Sequence, residues 1–177
     1  MHTLYTIGHS TREIGEFIDL LSSHGITQLV DIRTIPKSRH NPQFGQTELE
    51  SSLKDSGITY IYMKSLGGLR SAAKQESVNG AWRNRSFRNY ADYMQTDEFR
   101  HGVEDLIELA KKSTSAIMCA EAVPWRCHRS LVADALSVRN VPVYEIIGKG
   151  NTRPHKLTSF AVVEGTKITY PKPESPL

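Results

Sequence analysis

Five short apolar runs, LYTI (4–7), QLVDI (28–32), YIYM (60–63), AIMC (116–119) and VYEII (143–147), recur along the chain with helix-like segments between them. Most are continuous rather than alternating, the pattern of strands covered on both faces. Residues 13–23 place Ile14, Phe17, Ile18 and Leu21 on one stripe, with Ser10 or Thr11 as the N-cap and Gly25 just past the end. Residues 47–56 repeat the form, with Leu49 and Leu53 inward and Gly57 as the stop. Residues 89–112 are long enough for two helices, and a helix over 126–139 follows the fourth run, with Pro142 blocking its continuation. Such alternation specifies an α/β fold: a single-domain, three-layer arrangement, a mostly parallel sheet of about five strands with helices on both faces. The expected strand order is three-two-one-four-five. The core is expected over 4–160, with 167–177 as an extended tail.

A chain of 177 residues fits one domain and buries about two-thirds of the surface it exposes unfolded. Its 22 Lys+Arg against 19 Asp+Glu give a net charge of +3, too small to mark a nucleic-acid protein by charge alone. Two cysteines exclude a disulfide scaffold, and no apolar run approaches the ~20 residues of a membrane span. The start, MHTLY, lacks a basic region followed by an apolar stretch, so no secretory signal and a cytoplasmic location are expected.

In an open α/β sheet, ligands bind beyond the carboxyl ends of the strands. Those ends carry His9, then Asp31 and Arg33, then CAEAVPWRCHRS at 119–130. In this last block Pro124 breaks the chain and a helix is expected near Arg126. Cys127 then lies in the first helical turn, where unpaired amides favour an anion or a thiolate. Arg126, His128 and Arg129 around it lower a thiol pKa from ~8.5 toward neutrality. Cys127 or Cys119 is the candidate nucleophile, with His9, His128 and Glu121 as acid–base candidates. Asp31 is a further such candidate, or an ion-pair or capping residue beside Arg33. The packing alternative puts Cys127 and His128 on the face that covers the sheet, where an inert, buried Cys is common.

Other thiol chemistries fare differently. Six residues separate Cys119 from Arg126, so the phosphatase loop is absent, and the Gly-containing loop of a rhodanese-type carrier is missing. A transient Cys119–Cys127 redox pair is an option. His9, Cys119, Glu121, Cys127 and His128 are ligand types for zinc or iron, but no closed CxxC or HxxxH pattern occurs. A metal-dependent enzyme using His9, Cys119 and Glu121 is therefore an alternative the spacing does not favour, and no cofactor is assigned.

Two long loops are basic. Residues 33–45 contain Arg33, Lys37 and Arg39, with no acid between Asp31 and Glu48. Within 64–88, Trp82, Arg83, Arg85 and Arg88 interleave cations with aromatics, a composition suited to stacking on bases and pairing with phosphates. With Arg33, Arg39, Arg126 and Arg129 as anion holders, the expected partner is an anionic small molecule or a nucleic acid. The leading expectation is an enzyme acting on a phosphate-bearing substrate. Its rival is a non-catalytic nucleic-acid-binding module built on Trp82 and the Arg-rich segment.

The blocks YTIGHSTR, DIRTIPKSRHNPQF, SLGGLR, FRNYADYMQTDEF, CAEAVPWRCHR and RPHKLTSFA occur in this order from about Tyr5 to Phe160. Together they resemble the domain of unknown function 488 family. Ser65, before Leu66-Gly67-Gly68, stands where an acid is common in that family. The resemblance implies a prokaryotic cytosolic protein and supplies no reaction, so the chemistry rests on the residues themselves.

Overall fold

The computed structural model describes residues 2–174. Five strands run parallel: β1 (Leu4–Gly8), β2 (Gln28–Asp31), β3 (Thr59–Tyr62), β4 (Ser115–Cys119) and β5 (Val143–Gly148). A sixth, β6 (Asn151–Pro154), pairs antiparallel with β5 and closes that edge. The helices are α1 (Ile14–Ser23), α2 (Gln46–Asp55), α3 (Arg85–Tyr93), α4 (Asp97–Lys112) and α5 (Arg129–Ser137).

Residue parity along the central strands divides the interior into two cores. Ala116 and Met118 of β4 join Ile7 and Leu29 beneath Phe17 and Leu21 of α1 and Leu49 and Leu53 of α2. Ile117 points the other way, with Leu4, Val30 and Ile32, onto Tyr90, Val103, Leu106, Leu131 and Val132. Both faces are covered, as the continuous apolar runs require. Burying a single side chain of this size contributes roughly 1.5–3 kcal/mol.

The strand order is β3-β2-β4-β1-β5-β6, which corrects the expected three-two-one-four-five. β4 enters between β2 and β1 and is buried over its whole length. An apolar run states that a strand is central but not which two neighbours it takes, so the swap was invisible in the pattern. The pairing of β1 with β4 holds in either order, and it places Gly8 opposite Cys119.

Local details depart from expectation where side chains find other partners. Glu13, not Ser10 or Thr11, precedes α1 and makes no side-chain cap; Ser10 instead takes φ 52 in the turn after β1. Gly25 and Gly57, at φ 69 and 75, end α1 and α2 as expected. The long helical stretch divides at 94–96, where the Thr96 side chain accepts from the Phe99 amide and starts α4. The tail is not simply extended. Strands β7 (Val162–Glu164) and β8 (Lys167–Thr169) form a hairpin, and Ile168 and Tyr170 are buried, so the core extends past 160. Positions 175–177 of the expected tail lie outside the described residues.

Candidate functional site

A cleft of about 490 Å³ opens at the carboxyl ends of β4 and β2, lined among others by Arg33, Lys37, Cys119, Glu121, Arg126 and Cys127. The backbone builds it at the point where the chain leaves β1 and β4 for opposite faces. His9 and Ser10 donate amides to the Cys119 and Ala120 carbonyls, at 2.9 and 3.0 Å, prolonging the β1–β4 ladder by two residues. Gly8 lies under this turn. A Cβ there would stand 1.8 Å from the Glu121 carbonyl oxygen and 2.8 Å from the Ala122 Cα. Backbone atoms cannot swing aside, so Gly8→Ala is expected to cost at least about 2–3 kcal/mol. A urea midpoint equal to that of the parent chain would show that the 119–122 loop yields freely.

Both cysteines are free, buried and adjoining. Their environments pull in opposite directions. Burial opposes ionisation of Cys119, but the hydrogen bond from Cys127 and the Arg129 guanidinium outweigh it and hold the Cys119 thiol below its ordinary value. Burial pushes the Cys127 thiol well up, and its bond to Cys119 adds to that. The helix-start argument for Cys127 does not hold. Cys127 was placed in the first turn of a helix over 126–139, yet a 3-10 turn spans Pro124–Arg126 and α5 starts only at Arg129. Cys127 is extended, and its Sγ accepts the Arg129 amide at 3.5 Å, capping the helix from outside.

Two histidines flank the thiols without competing for the nucleophile's role. His128 Nε2 donates to the Ile32 carbonyl at 2.9 Å, leaving Nδ1 3.5 Å from Cys127 Sγ. The ring packs edge-on against Tyr90, and Gly68 approaches so closely that a Cβ would lie 2.5 Å from Nδ1. Burial pushes the imidazole down to about 4, so it stays neutral and acts as a positioning group between β2 and Cys127. His9 Nδ1 donates to the Ser10 carbonyl at 2.7 Å and the ring stacks on Phe44 at 4.3 Å. Burial lowers its pKa as well, and its Nε2 finds no partner among the described residues.

Asp31 is an ion-pair residue. Its carboxylate accepts Arg33 Nε at 2.9 Å and Nη2 at 2.7 Å, the Arg33 amide at 3.1 Å and the Tyr60 hydroxyl at 2.6 Å. All of its bonding capacity is used, so it orients Arg33 rather than carrying protons. Positive charge exceeds negative in the floor of the cleft. Arg33 Nη1 and Arg129 Nε are buried with no hydrogen-bond partner among the described residues. Arg129 is 1% exposed, donates to the Ala122 carbonyl at 3.0 Å and pairs with no carboxylate among those residues. Glu121 is exposed at the mouth, where its carboxylate accepts the Val123 amide at 3.1 Å.

Other expected residues lie elsewhere. Arg39 is exposed outside the cleft lining, where Lys37 is found instead. Arg83 and Arg85 are exposed, and it is Asn84, Ser86 and Phe87 of that segment that face the cleft. Arg88 reaches back to the Trp82 carbonyl at 3.5 Å. Trp82 is not a free stacking platform: it packs on Phe87, Phe160 and Tyr170, with ring centroids 4.9, 4.8 and 5.5 Å away. Among the described residues no three His, Cys, Asp or Glu side chains converge as a metal-ligand set, so His9, Cys119 and Glu121 are not brought together as one.

A polar network behind α5 was not singled out in the sequence. Buried Asp134 accepts His155 Nε2 at 2.7 Å, the Thr158 amide and hydroxyl at 3.1 and 2.7 Å, and the Tyr170 hydroxyl at 2.8 Å. His155 Nδ1 faces Glu145 at 3.4 Å. Ser130 borders a hollow that Glu145 and His155 also line, which raises the question of a serine triad. Geometry rejects it. Both imidazole nitrogens are held by carboxylates, the ring is pushed up to about 9, and the Ser130 hydroxyl donates to the Cys127 carbonyl. A larger hollow of about 610 Å³ between the start of α4 and the β7–β8 hairpin is lined by neither Cys nor His.

Among curated proteins and among solved structures, no match was found. A family model described as "Domain of unknown function DUF488" matches residues 13–136, which takes in Asp31, Arg33, both cysteines and Arg129 but stops short of His155. No helix among the described residues is long and apolar enough to cross a membrane. The match covers most of the chain, from the residue before α1 to the last turn of α5, and the protein belongs to the DUF488 family.

Proposed function

We propose that this protein is a thiol-dependent enzyme acting on a phosphate-bearing substrate, with Cys119 as the nucleophile. The observation that carries the reading is the positive charge under the cleft: the buried Arg129, which pairs with no carboxylate among the described residues, and an Arg33 that keeps Nη1 unpartnered beyond its pair with Asp31. A buried guanidinium without a counter-ion costs several kcal/mol. A thiolate at Cys119 together with a bound oxyanion would offset that cost. In this arrangement Arg33, Arg126 and Lys37 hold the substrate anion, Arg129 stabilises the thiolate, Cys127 donates to it, and Glu121 moves protons at the mouth. Exposed Arg83 and Arg85 beside the cleft leave room for a nucleic acid as the phosphate source.

Alkylation by iodoacetamide across pH tests this. Cys119 is expected to react with a midpoint below the ~8.5 of a free thiol. Cys119→Ser should abolish the reaction, Arg129→Gln should raise the midpoint by about a unit or more, and inorganic phosphate should slow the modification several-fold. A midpoint at or above that of a free thiol, or a rate indifferent to phosphate, would sink the reading.

A further inference from the structure

Beside the cleft lies a second hollow of about 430 Å³, within the size range of small-molecule sites, bordered by Trp82, Trp125, Ser130, Arg153 and His155. Two chain segments wall both spaces. The Pro124–Arg126 turn sends Arg126 into the cleft and Trp125 into the hollow, and the 82–87 segment sends Phe87 one way and Trp82 the other.

Trp125 is 63% exposed. An indole that much in water forgoes roughly 1.5–3 kcal/mol of burial, yet the turn holds it outward. The Arg153 guanidinium lies over its ring, 5.4 Å from the centroid. Across the hollow stands Trp82, held in place by Phe87, Phe160 and Tyr170. The far wall is rigid, because Asp134 ties down His155, Thr158 and Tyr170. An exposed aromatic face and a fixed wall next to an anion cleft match a planar heterocycle joined to a phosphate.

We propose that the hollow is the ring-binding half of a bipartite site, and that the substrate is a nucleotide whose base stacks on Trp125 while its phosphate lies in the cleft. This rests on the anion reading of the cleft for its phosphate half alone. The base half stands on Trp125 and the hollow it borders, and is tested without it.

Equilibrium dialysis with inorganic phosphate, AMP, UMP and adenosine separates the two halves. AMP or UMP is expected to bind about 10-fold or more tightly than inorganic phosphate, and adenosine alone is expected to quench the indole fluorescence. Trp125→Ala should abolish both the nucleotide advantage and the quenching, and Trp125→Phe should restore most of the advantage. If phosphate binds and slows alkylation but neither nucleotide gains over it, the ring site is overturned and the cleft reading stands. If adenosine binds in a Trp125-dependent way while phosphate does not bind, the ring site stands and the cleft reading falls. Adenosine binding that persists unchanged in Trp125→Ala overturns the ring site, and so does its absence in the parent protein.

Discussion

An Asp31→Asn variant is expected to lose about 3–5 kcal/mol of stability, the range for removing one partner of a buried ion pair. Arg33, itself 6% exposed, would keep its charge with two of its donors no longer facing a carboxylate, and the Tyr60 hydroxyl would lose its acceptor. Replacing the pair together separates stability from function. The apolar double variant Asp31→Leu/Arg33→Met should recover most of the lost stability, because two desolvated charges are removed at once. It should still bind phosphate poorly, because Arg33 is one of the cations that line the cleft. Urea unfolding of the three proteins measures the first effect and phosphate protection of Cys119 the second. A loss under about 1 kcal/mol for Asp31→Asn would mean that water reaches Arg33 and that the pair is not the closed unit described here.

Stability should peak near pH 6.5 and fall on both sides, through two histidines of opposite sign. His155 is pushed up to about 9 despite burial, by its bonds to Asp134 and Glu145. Its contribution is therefore complete below its ordinary value of 6.5 and disappears as the pH rises through 9, where the folded state releases the proton. His128 behaves the other way. Burial pushes it down to about 4, so the unfolded chain takes up a proton that the folded chain refuses. Its contribution is complete above 6.5 and is lost progressively as the pH falls toward 4. Each flank spans on the order of 3 kcal/mol at 1.36 kcal/mol per pKa unit, the partial exposure of His155 reducing its share. His155→Gln should flatten the alkaline flank alone and His128→Gln the acid flank alone. Denaturant midpoints from pH 4 to 10 provide the check, and a profile in which either variant alters the wrong flank contradicts the assignment.

Much of the architecture was legible in the chain. The apolar runs marked all five parallel strands, and the periodic segments marked the helices, because a buried strand and an amphipathic helix each impose a local period. The glycines after α1 and α2 were equally local signals, since each must adopt a positive φ. The strand order was not legible. The insertion of β4 between β2 and β1 depends on how a crossover of some fifty residues lies across the sheet. The buried end of the tail was missed for a related reason: Tyr170 reads as an isolated aromatic until Asp134 is found within 2.8 Å of its hydroxyl.

The site divides along the same line. That Cys119, Cys127, Arg33, Arg126, Arg129, Glu121 and His9 gather near one rim followed from their positions at strand ends, a rule of α/β topology that needs no coordinates. Which of them could do what did not follow. Residue types alone left Cys127 or Cys119 as the nucleophile, Asp31 as a proton carrier or an ion-pair residue, and Trp82 as a stacking platform. The chain fold instead ends a 3-10 turn before Cys127, fills every acceptor position on Asp31 and encloses Trp82 among aromatics. Sequence by itself determined the α/β class, the rim and its inventory of reactive groups, because these depend on local periodicity and chain order. Only the tertiary structure decided which groups are charged, paired or left unsatisfied, because ionisation and hydrogen bonding depend on burial and on neighbours brought from distant parts of the chain.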